Sequence, residues 1–259
     1  MNYQKIRALH YKQQRISGIQ VNANIDEWIK SPYSTFKSRI YIEGSALIVY
    51  LIQNIPIHPN HITILYILLS FFSFFFLISN IKILMIIGLI IFIFQPILDW
   101  ADGLLARIKR QTSLLGHMLD AWGANVYFYL LITSVGIYLF NSTNKIYFLY
   151  LTIFSILIKL VDFRIFIFQQ LFYENKKKKL DEYQSLQKTK IIFYFLKNFM
   201  DSRSRTTDAL ILTIMFEIIY EKIFLSDIFF YLYIFKFILV FFGYLYYYID
   251  NKIFFKNIK

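Results

Sequence analysis

The 259-residue sequence contains no cysteine, which excludes disulfides, thiolate nucleophiles and cysteine-ligated zinc. Glycine and proline are scarce, with 8 and 4 residues, so long helices are expected rather than turn-rich β-structure. Charge is sparse as well: 17% of residues carry it, and acidic groups are outnumbered 16 to 28 by Lys and Arg. In their place is hydrocarbon. Hydrophobic residues make up 58% of the chain, with 29 Phe and 21 Tyr. Apolar runs of about twenty residues recur, each long enough to cross a hydrocarbon core of ~30 Å. The chain therefore reads as an all-α, polytopic membrane protein with six transmembrane helices preceded by an interfacial amphipathic helix. Its polar N-terminal forty residues show no signal-peptide pattern.

Residues 1–33 are polar, with Arg7, His10, Lys12 and Arg15 spread through them, and read as a cytosolic N-terminal extension. The membrane domain then occupies 34–259. Its first segment, 34–54, carries its charge early and has an apolar part short for a span. It suits an interfacial helix with Lys37, Arg39 and Glu43 toward water, a re-entrant segment being the alternative. Pro56 and Pro59 break it, and Asn60 or Thr63 can cap the next helix. Spans follow at about 61–79, 83–101, 114–140, 146–172, 208–221 and 227–249, with a short polar connection carrying Arg107, Lys109 and Arg110. If both termini face the cytosol, the outside turns hold only Lys82, Lys145 and Lys222, while the inside segments hold most of the remaining Lys and Arg. This is the positive-inside pattern. It accounts for the net charge of +12 without nucleic acid, and it puts residues 99–113 at the cytosolic face.

The stretch from Asp99 to Asp120 sets three carboxylates between apolar runs, where an ionisable residue is a functional candidate by default. Asp99 and Asp102 are three apart and project from one side of a helix, and Asp120 lies about two turns into the next. An antiparallel pair of helices brings the three together. Without nearby bases they would repel, which favours a divalent cation between them, and oxygen-only ligands suit Mg²⁺, Mn²⁺ or Ca²⁺. Gly103 and Gly116 flank the site and permit close approach, and Arg107 can bind phosphate bidentately. A metal cluster beside an arginine points to phosphoryl chemistry.

The pattern Asp99-x-x-Asp102-Gly103-x-x-Ala106-Arg107, eight residues, Gly116-x-x-x-Asp120 resembles the signature of the CDP-alcohol phosphatidyltransferases. Pro59-Asn60-x-x-Thr63 at the start of the first span is similar too, and the resemblance covers roughly residues 34–250. It implies a bimetal Mg²⁺ or Mn²⁺ site in a polar cavity open to the cytosol. The implied substrates are a CDP-linked lipid donor, usually CDP-diacylglycerol, and an alcohol acceptor that receives a substituted phosphate as CMP is released. It further implies Asp99, Asp102 and Asp120 as metal ligands, with Gly103, Ala106, Arg107 and Gly116 lining the nucleotide and diphosphate site. Related proteins are often dimers, so a homodimer is also an expectation.

The family signature ends with a fourth Asp, a metal ligand and the proposed base, where this chain has Ala124. Asn125 is rotated ~100° around the helix from that position. His117 is a candidate substitute base, and Asp162 and Asp208 are further candidates. Arg203 and Arg205 are candidates for a phosphate of either substrate. Two functional readings follow: a membrane phosphotransferase of phospholipid biosynthesis, or a catalytically impaired relative that binds nucleotide or lipid as a membrane partner protein. A transporter is a third, but it leaves the Asp motif without a role.

Overall fold

The computed structural model describes residues 1–20, 32–160, 206–221 and 225–250, and every regular element among them is helical. In chain order these are α1 (Tyr3–Gln20), α2 (Pro32–Ile52), α3 (Pro59–Ile78), α4 (Lys82–Phe94), α5 (Pro96–Lys109), α6 (Leu114–Thr143), α7 (Tyr147–Leu160), α8 (206–220) and α9 (Ser226–Asp250). Among the described residues, three segments are long and apolar enough to cross a membrane: Pro59–Ile78, Lys82–Lys109 and Leu114–Thr143. The chain divides into two compact units, Met1–Leu131 and Ile132–Lys259.

The first unit is built around α5. Ala101, Leu104 and Leu105 on its back are fully buried against Ile6 of α1, Ala46 and Val49 of α2, and Ile62 of α3. This apolar face continues past the aspartates to Ile108, which explains why the helix runs on to Lys109. Residues 102–109, expected in a polar connection, are therefore helical. The turn begins at Arg110, whose left-handed φ of 54° ends the helix, and the Gln111 N–H closes on the Ala106 carbonyl at 2.8 Å. Lys109 Nζ donates to the carbonyls of Ile55 and Ile57 at 2.7 and 2.8 Å, fastening the α2–α3 connection to this end of α5.

Between α4 and α5 the helix breaks at Gln95, because Pro96 has no N–H to give the Phe92 carbonyl. Side chains from other helices supply what is missing. Tyr127 OH donates to Phe92 O and Tyr41 OH to Ile93 O, each at 3.0 Å. Gln95, buried at the break, donates to Tyr66 O at 2.7 Å and also to Ser70 Oγ, tying the break to α3.

Two local expectations change. His58 caps α3, its Nδ1 accepting the Asn60 N–H at 3.2 Å, and Pro59 follows as the first helical residue. Asn60 and Thr63 are thereby released from capping. Glu43 does not simply face water, because α1 packs over it. Its carboxylate accepts from Tyr3 OH at 2.7 Å, Arg7 Nε at 2.6 Å and Tyr11 OH at 2.9 Å. Burial alone would raise Glu43, but those three hydrogen bonds outweigh it and hold the carboxyl below its ordinary value.

In the second unit, α6 and α7 meet at Gly136 and Thr152, and Phe148 packs on Phe230 with ring centres 5.9 Å apart. The buried Glu217 of α8 accepts the N–H groups of Leu225 and Ser226 at 2.8 Å and so caps α9.

Candidate functional site

Beside its apolar back, α5 carries Asp99 and the buried Asp102, one turn apart. Asp120, on the second turn of α6, is close enough to interact electrostatically with both Asp99 and Asp102. The three carboxylates thus lie in one neighbourhood. Carboxylates this close repel unless a proton or a cation lies between them. Asp99 Oδ1 is buried with no hydrogen-bond partner among the described residues, an acceptor without a donor.

Asp102 is 6% exposed, and its Oδ2 accepts the hydroxyl proton of Thr63 on α3. One turn further along α3, the buried Tyr66 lies close enough to interact electrostatically with all three aspartates, and its ring stacks on Tyr127 at 6.2 Å. Sequence reasoning treated Thr63 as part of a helix start and passed over Tyr66. The available signal was a polar stripe, Thr63, Tyr66 and Ser70, at helical spacing along one side of an apolar span.

The glycines have specific neighbours. A Cβ on Gly103 would lie 3.3 Å from Arg107 Nη1, so the guanidinium reaches back over the Gly103 backbone. A Cβ on Gly116 would lie 3.3 Å from Asn60 Oδ1 and 3.2 Å from Ser113 Oγ, which itself accepts the Gly116 N–H at 3.0 Å. Gly116 therefore lets Asn60 approach the start of α6. Ala106 sits at the end of α5 and supplies the closing carbonyl described above. His117 is exposed on the first turn of α6, three residues before Asp120, and Ala124 is exposed one turn after it. Arg203, Arg205 and Asp162 lie outside the described residues. Asp208 is half-buried in α8, in the second unit.

In donor chemistry the site fits a hard divalent cation: oxygen ligands only, one of them buried and unpaired. It is not a closed cage, because no group of three or more His, Cys, Asp or Glu side chains among the described residues converges closely enough to hold a metal ion. Asp120 is exposed, and Asp102 is engaged by Thr63.

Neither the curated proteins nor the solved structures include a match to this chain. A family model described as CDP-alcohol phosphatidyltransferase does match, over residues 56–232, a range that contains α3, the whole Asp99–Asp120 stretch, α7 and α8. With well over half of its length matched, the chain belongs to the CDP-alcohol phosphatidyltransferases, the membrane transferases that move a phosphate-linked group from a CDP-alcohol in phospholipid synthesis.

Proposed function

We propose that this protein is an integral membrane phosphotransferase that takes a substituted phosphate from CDP-diacylglycerol, passes it to an alcohol and releases CMP. The observation that carries this reading is that Asp99, Asp102 and Asp120 lie in one electrostatic neighbourhood beside an arginine laid over Gly103. Asp99, Asp102 and Asp120 would hold Mg²⁺ or Mn²⁺, as a bimetal site when substrate completes the coordination. Such cations, when bound, neutralise diphosphate oxygens and the charge that develops on the leaving phosphate. Arg107 binds the donor's diphosphate through its planar fork of N–H donors, and Gly103 keeps the space over which it lies open. Gly116, Ala106 and Asn60 line the approach of the nucleotide.

In the transfer, the acceptor's hydroxyl oxygen bonds to the lipid-side phosphorus, the bond from that phosphorus to the bridging oxygen breaks, and CMP departs with the electron pair. The hydroxyl proton must go elsewhere, and Ala124 cannot take it. His117, exposed near Asp120, is the substitute base in this reading. Arg203 and Arg205 would hold a phosphate of either substrate. Six spans, both termini and the site in the cytosol, and a homodimer complete the proposal, supported by the distribution of Lys and Arg and by the family.

Ala124 also favours a second reading, a relative that binds a CDP-linked lipid with little or no turnover. Both are tested by incubating purified protein with Mg²⁺ or Mn²⁺, CDP-diacylglycerol and a panel of alcohols while measuring CMP. Metal-dependent CMP release establishes the enzyme. Metal-dependent CDP binding without CMP release from any pair, CDP-choline and CDP-ethanolamine with diacylglycerol included, selects the second reading.

A further inference from the structure

The family match begins at residue 56, yet α1 and α2 reach the motif-bearing helix. His10 of α1 is completely buried, and its ring lies nearly parallel to that of Trp100, with centres 5.8 Å apart and planes 17° apart. Tyr41 of α2 meets Trp100 edge-on at 5.9 Å, so residues outside the matched region hold this indole by face and by edge. Trp100 and Arg107 are seven residues apart and lie on nearly the same side of α5. The Arg107 guanidinium reaches back over Gly103, toward the Trp100 end, and its charge is felt at His10. Burial first and this charge second hold the imidazole down at about 4, so it is neutral at physiological pH.

Packing alone does not account for a histidine here. Both ring nitrogens are buried with no hydrogen-bond partner among the described residues, whereas Ile6, one turn before, fills its place with hydrocarbon at no such cost. A neutral imidazole offers an aromatic plane to Trp100 and adds no like charge near the Arg107 guanidinium. We infer that His10 is a positioning residue: stacked on Trp100, it sets the side of α5 along which Arg107 presents its guanidinium to the donor's diphosphate. This rests on the assignment of Arg107 to the donor. The N-terminal extension is then a working part of the site.

The test measures CDP affinity by equilibrium dialysis, together with donor KM, acceptor KM and kcat, on the full chain. His10→Ala is expected to weaken CDP binding and raise donor KM about tenfold, leaving acceptor KM and kcat within about twofold. His10→Phe, which keeps the stack, should hold donor KM within about threefold of the parent. In an Arg107→Lys background, His10→Ala should add less than about twofold, as expected for residues acting through one contact. Trp100 emission, read with Trp28 and Trp122 replaced by Phe, should shift to the red in His10→Ala and not in His10→Phe. Equal rises in donor and acceptor KM, or the full tenfold loss in the Arg107→Lys background, would overturn the inference. If Arg107→Lys itself leaves CDP affinity unaltered, the donor assignment has failed. If Arg107→Lys weakens CDP binding but His10→Ala does not, only the positioning role has failed.

Discussion

Replacing Thr63 by Val tests whether the carboxylate on α5 is held for a cation. Valine keeps the branched shape of threonine and removes only the hydroxyl, the donor to Asp102 Oδ2. Asp102 is 6% exposed, so water cannot readily replace that donor. A hydrogen bond to a charged group contributes ~1.5–3 kcal/mol, which corresponds to ~10–150-fold in an equilibrium constant. Loss of a group that orients a metal ligand typically costs ~10–100-fold in metal affinity. The two ranges overlap, so Thr63→Val should raise the Mn²⁺ or Mg²⁺ concentration for half-maximal CMP release by ~10–100-fold. Thr63→Ser retains the hydroxyl and should recover to within about threefold of the parent. The assay is CMP release titrated with metal at saturating donor, with CDP binding titrated in parallel. An unchanged metal dependence in Thr63→Val protein that remains folded would refute the reasoning, since Asp102 would then be carrying no cation that matters.

Three further outcomes are expected. Ala124→Asp should raise turnover by ~10²–10⁴-fold if the missing base limits the reaction, and His117→Ala should lower it in the parent chain and not in Ala124→Asp. CMP release decides between them, and no gain in Ala124→Asp would show that proton removal is not limiting. Tyr127→Phe removes the donor that serves Phe92 O at the Pro96 break. It should cost ~1–3 kcal/mol, read as a lower midpoint of thermal unfolding, and no change would mean another donor replaces it. Acidification should release α1 in two stages. His10 binds its proton less readily when folded, at about 4 against an ordinary 6.5, so its contribution is complete above 6.5 and fades as pH falls toward 4. Glu43 is held below its ordinary 4.5, so its contribution is complete above 4.5 and is lost only at lower pH. Amide hydrogen-exchange protection across Tyr3–Tyr11, taken relative to the intrinsic exchange rate at each pH, should therefore fall between pH 6.5 and 4.5, before the Glu43 bonds yield, and unchanged protection there would count against the burial of His10.

Composition alone determined that this is a helical membrane protein, because a chain with 58% hydrophobic residues, 8 glycines and no cysteine has few other ways to satisfy its backbone in lipid. The spacing of Asp99, Asp102, Gly103, Arg107, Gly116 and Asp120 carried the resemblance to the family, which the match over residues 56–232 bears out. Helical periodicity also told which side of α5 bears the carboxylates. Tertiary structure decided what local pattern could not carry. Thr63 looked like a cap and became the partner of Asp102, because His58 took the capping role and left the hydroxyl to face α5. Glu43 looked like a water-facing charge and became the anchor of α1, because hydrogen-bond donors 32 to 40 residues away converge on it. His10 lay in a polar stretch with no pattern and is completely buried on Trp100. Asp99 to Asp120, legible as three costly carboxylates, gained from the fold an unpaired buried oxygen, a hydroxyl partner and a guanidinium laid across a glycine. Contacts between residues distant in the chain depend on how helices pack, and a sequence read turn by turn records only which face each residue offers.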